Sequence, residues 1–461
     1  MADRSASETV IEVPPLAKEL GARFVDAGHE LYLVGGSVRD LVQGGHADSD
    51  FDFATSAHPT ETTRLLRGWA DERYLVGVRF GTVGALKDGR RIEITTFRKE
   101  IYAEQHRKPA VTFGDDIGVD LSRRDFTINA MAVQVPDGAF VDPYGGVKAL
   151  AARSLDTPLE PETSFSDDPL RMIRAARFVA QLGVRPAGRV LDAMRSMADR
   201  LEIVSAERIR DELDKLLVAE RAPEGLELLV DTGLADRFLP ELPALRLEQD
   251  PVHRHKDVLR HTYAVVSRCE PDLVLRLAAL FHDVGKPATR KITDEGVTFH
   301  HHEVEGARIA RARMAELRYP KSRIDEVARL IELHLRFHGY GEGWSDAAVR
   351  RFVRDAGPLL DKLNQLTRAD VTTRNERRAE AFAKLQDELE ERIAALAEQE
   401  NLDAMRPTLD GRQVMEILGL QPGPQVGEAL AFLMEVRLER GPIPESEAIE
   451  LLRGWAAERA I

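Results

Sequence analysis

Apolar and polar positions divide the 461-residue chain into two unequal parts. In the first, short runs alternate. Residues 14–29 (PPLAKELGARFVDAGH) repeat apolar positions at helical spacing and predict an amphipathic helix. ELYLVGG reads as a strand ending in glycines, and SVRDLVQG as the start of a helix with Ser37 as its cap. FDFAT predicts a second strand; RYLVGV, GTVGALKD and RRIEITTF predict more, the last alternating at period two. EIYAEQHRKPAVTFGDDIGVD is polar and predicts a mobile loop. Residues 126–141 (FTINAMAVQVPDGAFV) predict a helix or strand, then a hairpin about Pro136-Asp137-Gly138. From residue 165 onward the strand pattern fades. DPLRMIRAARFVAQLG, AERIRDELDKLLVAE, PDLVLRLAALFHDVGK and SRIDEVARLIELHLRF follow helical spacing, and residues 376–400 form a long charged helix. TLDGRQVMEILGLQPGPQVGEALAFLMEV closes with two helices about a Pro-Gly-Pro turn.

Composition narrows the class. A hydrophobic share of 43% suits a folded core. No run reaches the roughly 18 apolar residues of a membrane-spanning helix. MADRSASETVIEVPP lacks an export signal pattern, and a lone cysteine, Cys269, excludes an intramolecular disulfide; both lead us to expect a cytoplasmic protein. The net charge of −14 argues against a surface that binds nucleic acid everywhere, but leaves room for a local Arg/Lys track.

The head carries the first chemistry. Asp50 and Asp52, two apart on a strand, point to one face and suit the two Mg²⁺ ions common in nucleotidyl transfer. Gly35 and Gly36 leave room for a phosphate beside a helix start, where Arg39 adds charge-assisted contacts. Asp48 reads as a turn residue. Glu93 faces away from Ile92 and Ile94, and either completes the metal site or points to water.

GGSVRD, DFDFAT, RRDFTINAMA, DPYGG and DDPLRMIRAARF occur in an order and spacing that resemble the class II tRNA nucleotidyltransferase family, the CCA-adding enzymes and bacterial poly(A) polymerases. The likeness runs from residue 31 to about 220 and takes in ERIRDELDKLL. It implies an α+β fold: a small mixed-sheet, polymerase-beta-like nucleotidyltransferase head followed by an all-helical neck, HD domain and tail. We place the head at 1–155, the neck at 156–245, the HD domain at 246–380 and the tail at 381–461. The resemblance assigns Asp50 and Asp52 to metal, and Gly36, Arg39, Arg124, Arg174 and Arg177 to nucleotide contacts. It assigns Asp168 and Arg171 to reading the incoming base. One departure is Asp167-Asp168, where the family usually has Glu-Asp.

The base-reading pair has a physical logic. Asp168 and Arg171 stand three apart, as neighbours on one helix face. A carboxylate only accepts and a guanidinium only donates. Cytosine and adenine each offer an amino donor beside a ring acceptor; uracil and guanine meet the carboxylate with a carbonyl. Arg174 and Arg177 continue the spacing, either along a triphosphate or packed against Phe178 or the head.

A second constellation lies downstream. HTYAVV, FHDVGKPAT, HEVEGA, ELHL and TRAD resemble the HD metal-dependent phosphohydrolase superfamily. The likeness implies His261, His282, Asp283 and Asp370 as ligands of a divalent metal of unspecified identity, with His302 and His334 as further members. His300 and His301 need not point inward, and His253 and His255 read as surface residues. HD modules of this kind include phosphatases, phosphodiesterases and poorly active forms.

The expected function is addition of C, C and A to tRNA 3′ ends from CTP and ATP, with Mg²⁺ in the head. The alternatives are a poly(A) polymerase, a CC-only or A-only enzyme, or an HD hydrolase with a nucleotide-binding head. Candidate RNA contacts are Arg308, Arg311, Arg313, Arg374, Arg377 and Arg378. No membrane and no protein partner is indicated.

Overall fold

The β-branched and aromatic runs of the first half pair into a seven-stranded mixed sheet in the computed structural model. It describes residues 11–44, 50–75, 77–78, 81–101, 110–247, 257–293, 296–371, 375–400 and 406–459. The chain divides into two units, Met1–Phe238 and Leu239–Ile461.

In the first unit the strands are β1 Leu31–Val34, β2 Phe51–Thr55, β3 Glu72–Tyr74, β4 Thr82–Lys87, β5 Arg90–Thr96, β6 Arg98–Ile101, β7 Ala110–Phe113, β8 Ala132–Gln134 and β9 Phe140–Val141. The sheet order is β3-β4-β5-β2-β1-β8-β9. Only β2 and β5 run parallel within it, in a register that sets Asp52 beside Glu93. Its two faces bury different residues. Leu31, Leu33, Phe51, Phe53, Ile92 and Ile94 pack with the amphipathic helix Pro15–Asp26. Tyr32, Val34, Ala54 and Ala132 form a smaller core with Leu121 from the helix Ile117–Ser122. By alternation Asp50, Asp52 and Glu93 belong to this second face.

Several local expectations change. Ser37 is not a cap: the helix Gly36–Val42 starts before it, and its hydroxyl, buried in the first turn, donates to the Asp50 carbonyl at 3.1 Å. The segment expected to be a mobile loop instead contributes the antiparallel pair β6–β7 and the helix Ile117–Ser122; residues 102–109 lie outside the description. RYLVGV narrows to β3, which ends at Tyr74. Residues 126–141 form a short 3₁₀ turn, Thr127–Asn129, then the β8–β9 hairpin.

Helices complete the first unit, with Leu170–Leu182 packed against Ala206–Leu217 and Ala222–Asp231. Among the described residues, the second unit's regular structure is helical apart from the small hairpin Lys291–Thr293/Gly296–Thr298. The two helices expected about the Pro-Gly-Pro turn, Gly411–Leu418 and Pro424–Arg440, form, and a further helix, Glu445–Arg459, shares their core around Leu433, Leu452 and Trp455. The α+β class holds: a sheet-based head precedes a helical remainder.

Candidate active site and metal centre

The turn after β1 brings backbone against the acidic face. Gly35 has φ +72° and ψ −138°, a combination side chains resist. A Cβ there would lie 3.3 Å from Arg124 Nη1 and 3.7 Å from Asp52 Oδ2. The two side chains therefore lie close over Gly35. Asp50 accepts from the Arg91 N–H at 3.2 Å. Asp52 is exposed. Desolvation by the surrounding protein, then the Glu93 carboxylate, raises its pKa to about 6, against the lowering charge of Arg124. Three carboxylates crowded on one face fit a divalent cation, whose charge would relieve that repulsion. Arg124 donates to Asp120 at 3.3 Å, while its Nε has no hydrogen-bond partner among the described residues. Arg39 donates to Asp40 and, through Nη1, to Asn129 at 3.1 Å.

Asp168 and Arg171 do not share a helix, contrary to expectation. Pro169 forces the residue before it into extended backbone, φ −144° and ψ 98°, so one helix ends at Asp167 and the next begins at Leu170. The two side chains take different partners. Asp168 pairs with Arg208 at 2.8 Å. Arg171 donates to the Ser164 hydroxyl at 2.7 Å and to the Arg123 carbonyl. Arg174 and Arg177 are held by carboxylates: Arg174 by Asp125, with Nε at 2.9 Å, and Arg177 by Glu212 at 3.1 Å. Arg177 also lies over the Phe178 ring at 4.5 Å.

Sequence reasoning passed over the residue that joins these parts. Asp125 is 8% exposed and accepts from the Phe126 N–H, from Asn129 Nδ2 at 3.1 Å and from Arg174. Burial alone would raise its pKa; the Arg174 charge and the hydrogen bonds from Arg174 and Asn129 win and hold it at about 2. A chain thus runs from Arg39 through Asn129 and Asp125 to Arg174. No local signal marks it, because its partner Arg174 stands 49 residues on.

In the second unit, His261 lies within the helix Val258–Arg268, and His282-Asp283 directly follows Leu273–Phe281. His302 opens His302–Glu316, His334 caps Lys321–Leu333, and Asp370 ends Leu360–Asp370. All converge. His261 Nε2 lies 2.9 Å from Asp370 Oδ1, 3.2 Å from His282 Nε2 and 3.5 Å from Asp283 Oδ2. His302 Nε2 lies 3.4 Å from Asp283 Oδ1. The Nδ1 atoms of His282, His302 and His334 each meet a backbone carbonyl three residues upstream, at 2.8, 2.8 and 2.6 Å. A donor there leaves Nε2 as the lone-pair nitrogen, as in histidines held ready to bind a metal. The His334 Nε2 is buried with no hydrogen-bond partner among the described residues.

Burial disfavours a charge on His282, but the Asp283 and Asp370 carboxylates raise its pKa to about 10. Asp283 and Asp370 are held well below the usual carboxylate range despite burial, chiefly by His282 for the first and His261 for the second. The cluster calls for positive charge at its centre, and these ligands fit a divalent cation that would supply it. Gly285 makes the convergence possible: a Cβ there would stand 2.1 Å from the His302 carbonyl. His300 and His301 are exposed, as the sequence allowed; His253, His255, Asp48 and Arg374 lie outside the described residues. Arg308, Arg311 and Arg313 pair with Glu305, Asp325 and Glu241, whereas Arg377 and Arg378 are exposed.

The sheet, its acidic triad and the arginine set define a nucleotidyltransferase. Comparison with known families matches residues 31–156 to the poly A polymerase head domain. Residues 183–245 match the probable RNA and SrmB-binding site of polymerase A, and 258–418 the HD domain. The A-adding tRNA nucleotidyltransferase of Deinococcus radiodurans is 34% identical over 444 residues, covering 92% of this chain and 95% of that protein. The CCA-adding enzyme of Anoxybacillus flavithermus is 42% identical over 223 residues, 48% of this chain and 54% of that protein. The crystal structure of the Bacillus stearothermophilus CCA-adding enzyme in complex with CTP is similar at a TM-score of 0.69 and 25% identity, covering 97% of this chain and 99% of that one. The chain belongs to the tRNA nucleotidyltransferase/poly(A) polymerase family and carries an HD domain. No helix among the described residues is long and apolar enough to cross a membrane.

Proposed function

We propose that the chain adds C, C and A to tRNA 3′ ends from CTP and ATP, in the cytoplasm. The observation that carries this reading is the meeting of Asp50, Asp52 and Glu93 on one sheet face beside Gly35 and Arg124. In this reading Asp50 and Asp52, with Glu93 as third acid, hold Mg²⁺, which when bound stabilises charge on the attacking and leaving oxygens. The tRNA 3′-hydroxyl attacks the α-phosphorus and pyrophosphate leaves, with no covalent enzyme intermediate. Gly36, Arg39 and Arg124 take the triphosphate, and the unpartnered Nε of Arg124 is free for it. Asp168 and Arg171 read the base. To do so Asp168 exchanges its Arg208 partner for the amino group of cytosine or adenine, while Arg171 donates to the ring acceptor. Arg174 and Arg177, already paired with Asp125 and Glu212, brace the wall behind the nucleotide.

In the second unit, His261, His282, Asp283 and Asp370, with His302 and His334, hold a divalent metal for phosphoester hydrolysis. Arg377 and Arg378 are candidate RNA contacts. The test of the head is tRNA lacking its CCA end, incubated with each nucleoside triphosphate alone and in combination. CTP and ATP together should yield a CCA end; failure to use CTP would sink this assignment. A second reading, addition of A alone, is favoured by the Deinococcus relative, which aligns with 92% of the chain. It predicts ATP incorporation only on tRNA ending in CC.

A further inference from the structure

The two residues assigned to reading the base stand on either side of a break in the helix. Asp168 is extended after Pro161–Asp167, and Arg171 lies in the first turn of Leu170–Leu182. A single rigid helix therefore does not fix their spacing. A carboxylate and a guanidinium that meet one base at once need a fixed relative placement, which some other group has to supply.

Ser164 touches both. Its carbonyl accepts the Asp168 N–H at 3.2 Å. The same carbonyl accepts from Arg171 Nη1 at 3.4 Å, and its hydroxyl accepts from Nη1 at 2.7 Å. The residue is 3% exposed, so no bulk water competes for the hydroxyl, and its bond to a guanidinium is charge-assisted. A serine within a helix ordinarily returns its hydroxyl to the carbonyl one turn back. Here the contact is with Arg171, seven residues on.

Arg171 is held from a second direction as well, where Nη2 donates to the Arg123 carbonyl. Arg123 directly precedes Arg124, whose Nη1 lies 3.3 Å from the Cβ position of Gly35. Both Nη1 hydrogens and one Nη2 hydrogen are thus taken. Among the described residues, Nε–H and the other Nη2 hydrogen remain to donate to a ring acceptor. The guanidinium is planar, so fixing two of its nitrogens fixes the plane in which the remaining donors act.

We propose that Ser164 is a positioning residue for base selection. Its hydroxyl sets the plane of Arg171, and its carbonyl sets the place of Asp168. This rests on the reading that Asp168 and Arg171 select the base. Ser164 stands apart from the acids of the head, so its loss acts on nucleotide affinity and choice rather than on the transfer step.

Steady-state extension by the full chain tests this, on trimmed tRNA for CTP and UTP and on tRNA ending in CC for ATP and GTP. Ser164→Ala should raise KM for CTP and ATP about tenfold and narrow the preference for C over U and A over G about tenfold, with kcat within about twofold of wild type. Ser164→Thr, which keeps the hydroxyl, should restore both; a loss equal to that of Ser164→Ala overturns the hydroxyl's role. In an Arg171→Ala background, Ser164→Ala should add less than about twofold, because the partner it acts through is gone. Wild-type KM and preference in Ser164→Ala, or a full further loss in the Arg171→Ala background, overturns the proposal. A fall in kcat and in thermal midpoint, with KM and preference unchanged, marks a serine that only holds the fold and also overturns it. If Arg171→Ala itself keeps wild-type KM and preference, base reading by Arg171 is overturned, a result distinct from failure at Ser164 alone.

Discussion

Removing the Asp125 carboxylate should loosen the first unit and the nucleotide site together. In Asp125→Ala, Arg174 loses its closest partner and keeps Glu212 at 3.6 Å and the Phe178 ring at 5.6 Å, while the Asn129 amide that orients Arg39 loses its acceptor. Taking one member from a buried ion pair costs about 3–5 kcal/mol. The side chain of Arg174 is 31% exposed, which places the cost near the lower end. The acid's own titration gives a similar size: a fall from 3.8 to about 2 corresponds to roughly 2 kcal/mol. The sign follows from the depressed folded pKa. The contribution is complete above the unfolded value and is lost as pH falls through the folded one. The wild-type advantage over Asp125→Ala should therefore be constant from about pH 5 to 8 and shrink between about pH 4 and 2. Urea unfolding followed through Trp69, buried in the first unit, reads it once Trp344 and Trp455 are replaced by Phe. A loss of about 3 kcal/mol is expected for Asp125→Ala, and a smaller one for Asp125→Asn, which keeps hydrogen bonds without the charge. A loss below about 1 kcal/mol, or one unchanged at pH 2, refutes the argument.

Other outcomes follow from the same geometry. Gly35→Ala should cost about 1–3 kcal/mol in backbone strain and push Arg124 and Asp52 apart, lowering nucleotide incorporation more than tRNA binding; equal effects on both would contradict this. Asp168→Ala should lose selectivity for C and A or most activity, whereas Arg208→Ala, which frees Asp168, should keep the selectivity; unchanged selectivity in Asp168→Ala removes the base-reading role. His282→Ala should abolish hydrolysis of phosphoester substrates and leave tRNA extension intact, measured on one preparation. Extension lost in parallel would argue that the two activities do not occupy separate sites.

What could be read in advance depended on whether the determinant was local. The helix 14–29, the strands at LYLV and FDFAT, and the matched pair Asp50/Asp52 follow from period and spacing. Ser37 misled because its preference for caps was overridden by the left-handed Gly35, which starts the helix early. The polar segment before residue 122 hid a hairpin because its strands form a two-stranded sheet of their own, outside the main one. Asp168 and Arg171 looked like helix neighbours, yet Pro169 between them carried the signal that they are not. The role of Asp125 was illegible, since its partner Arg174 lies far along the chain. The histidine motifs named the members of the cluster; that they converge from separate helices is a three-dimensional fact.

The most direct test of the head assignment is single-turnover extension of trimmed tRNA with CTP and ATP, comparing wild type with Asp52→Asn. The account predicts a CCA end and released pyrophosphate from wild type, and a loss of at least about a thousandfold in rate from the variant. Extension at the wild-type rate by Asp52→Asn would contradict it.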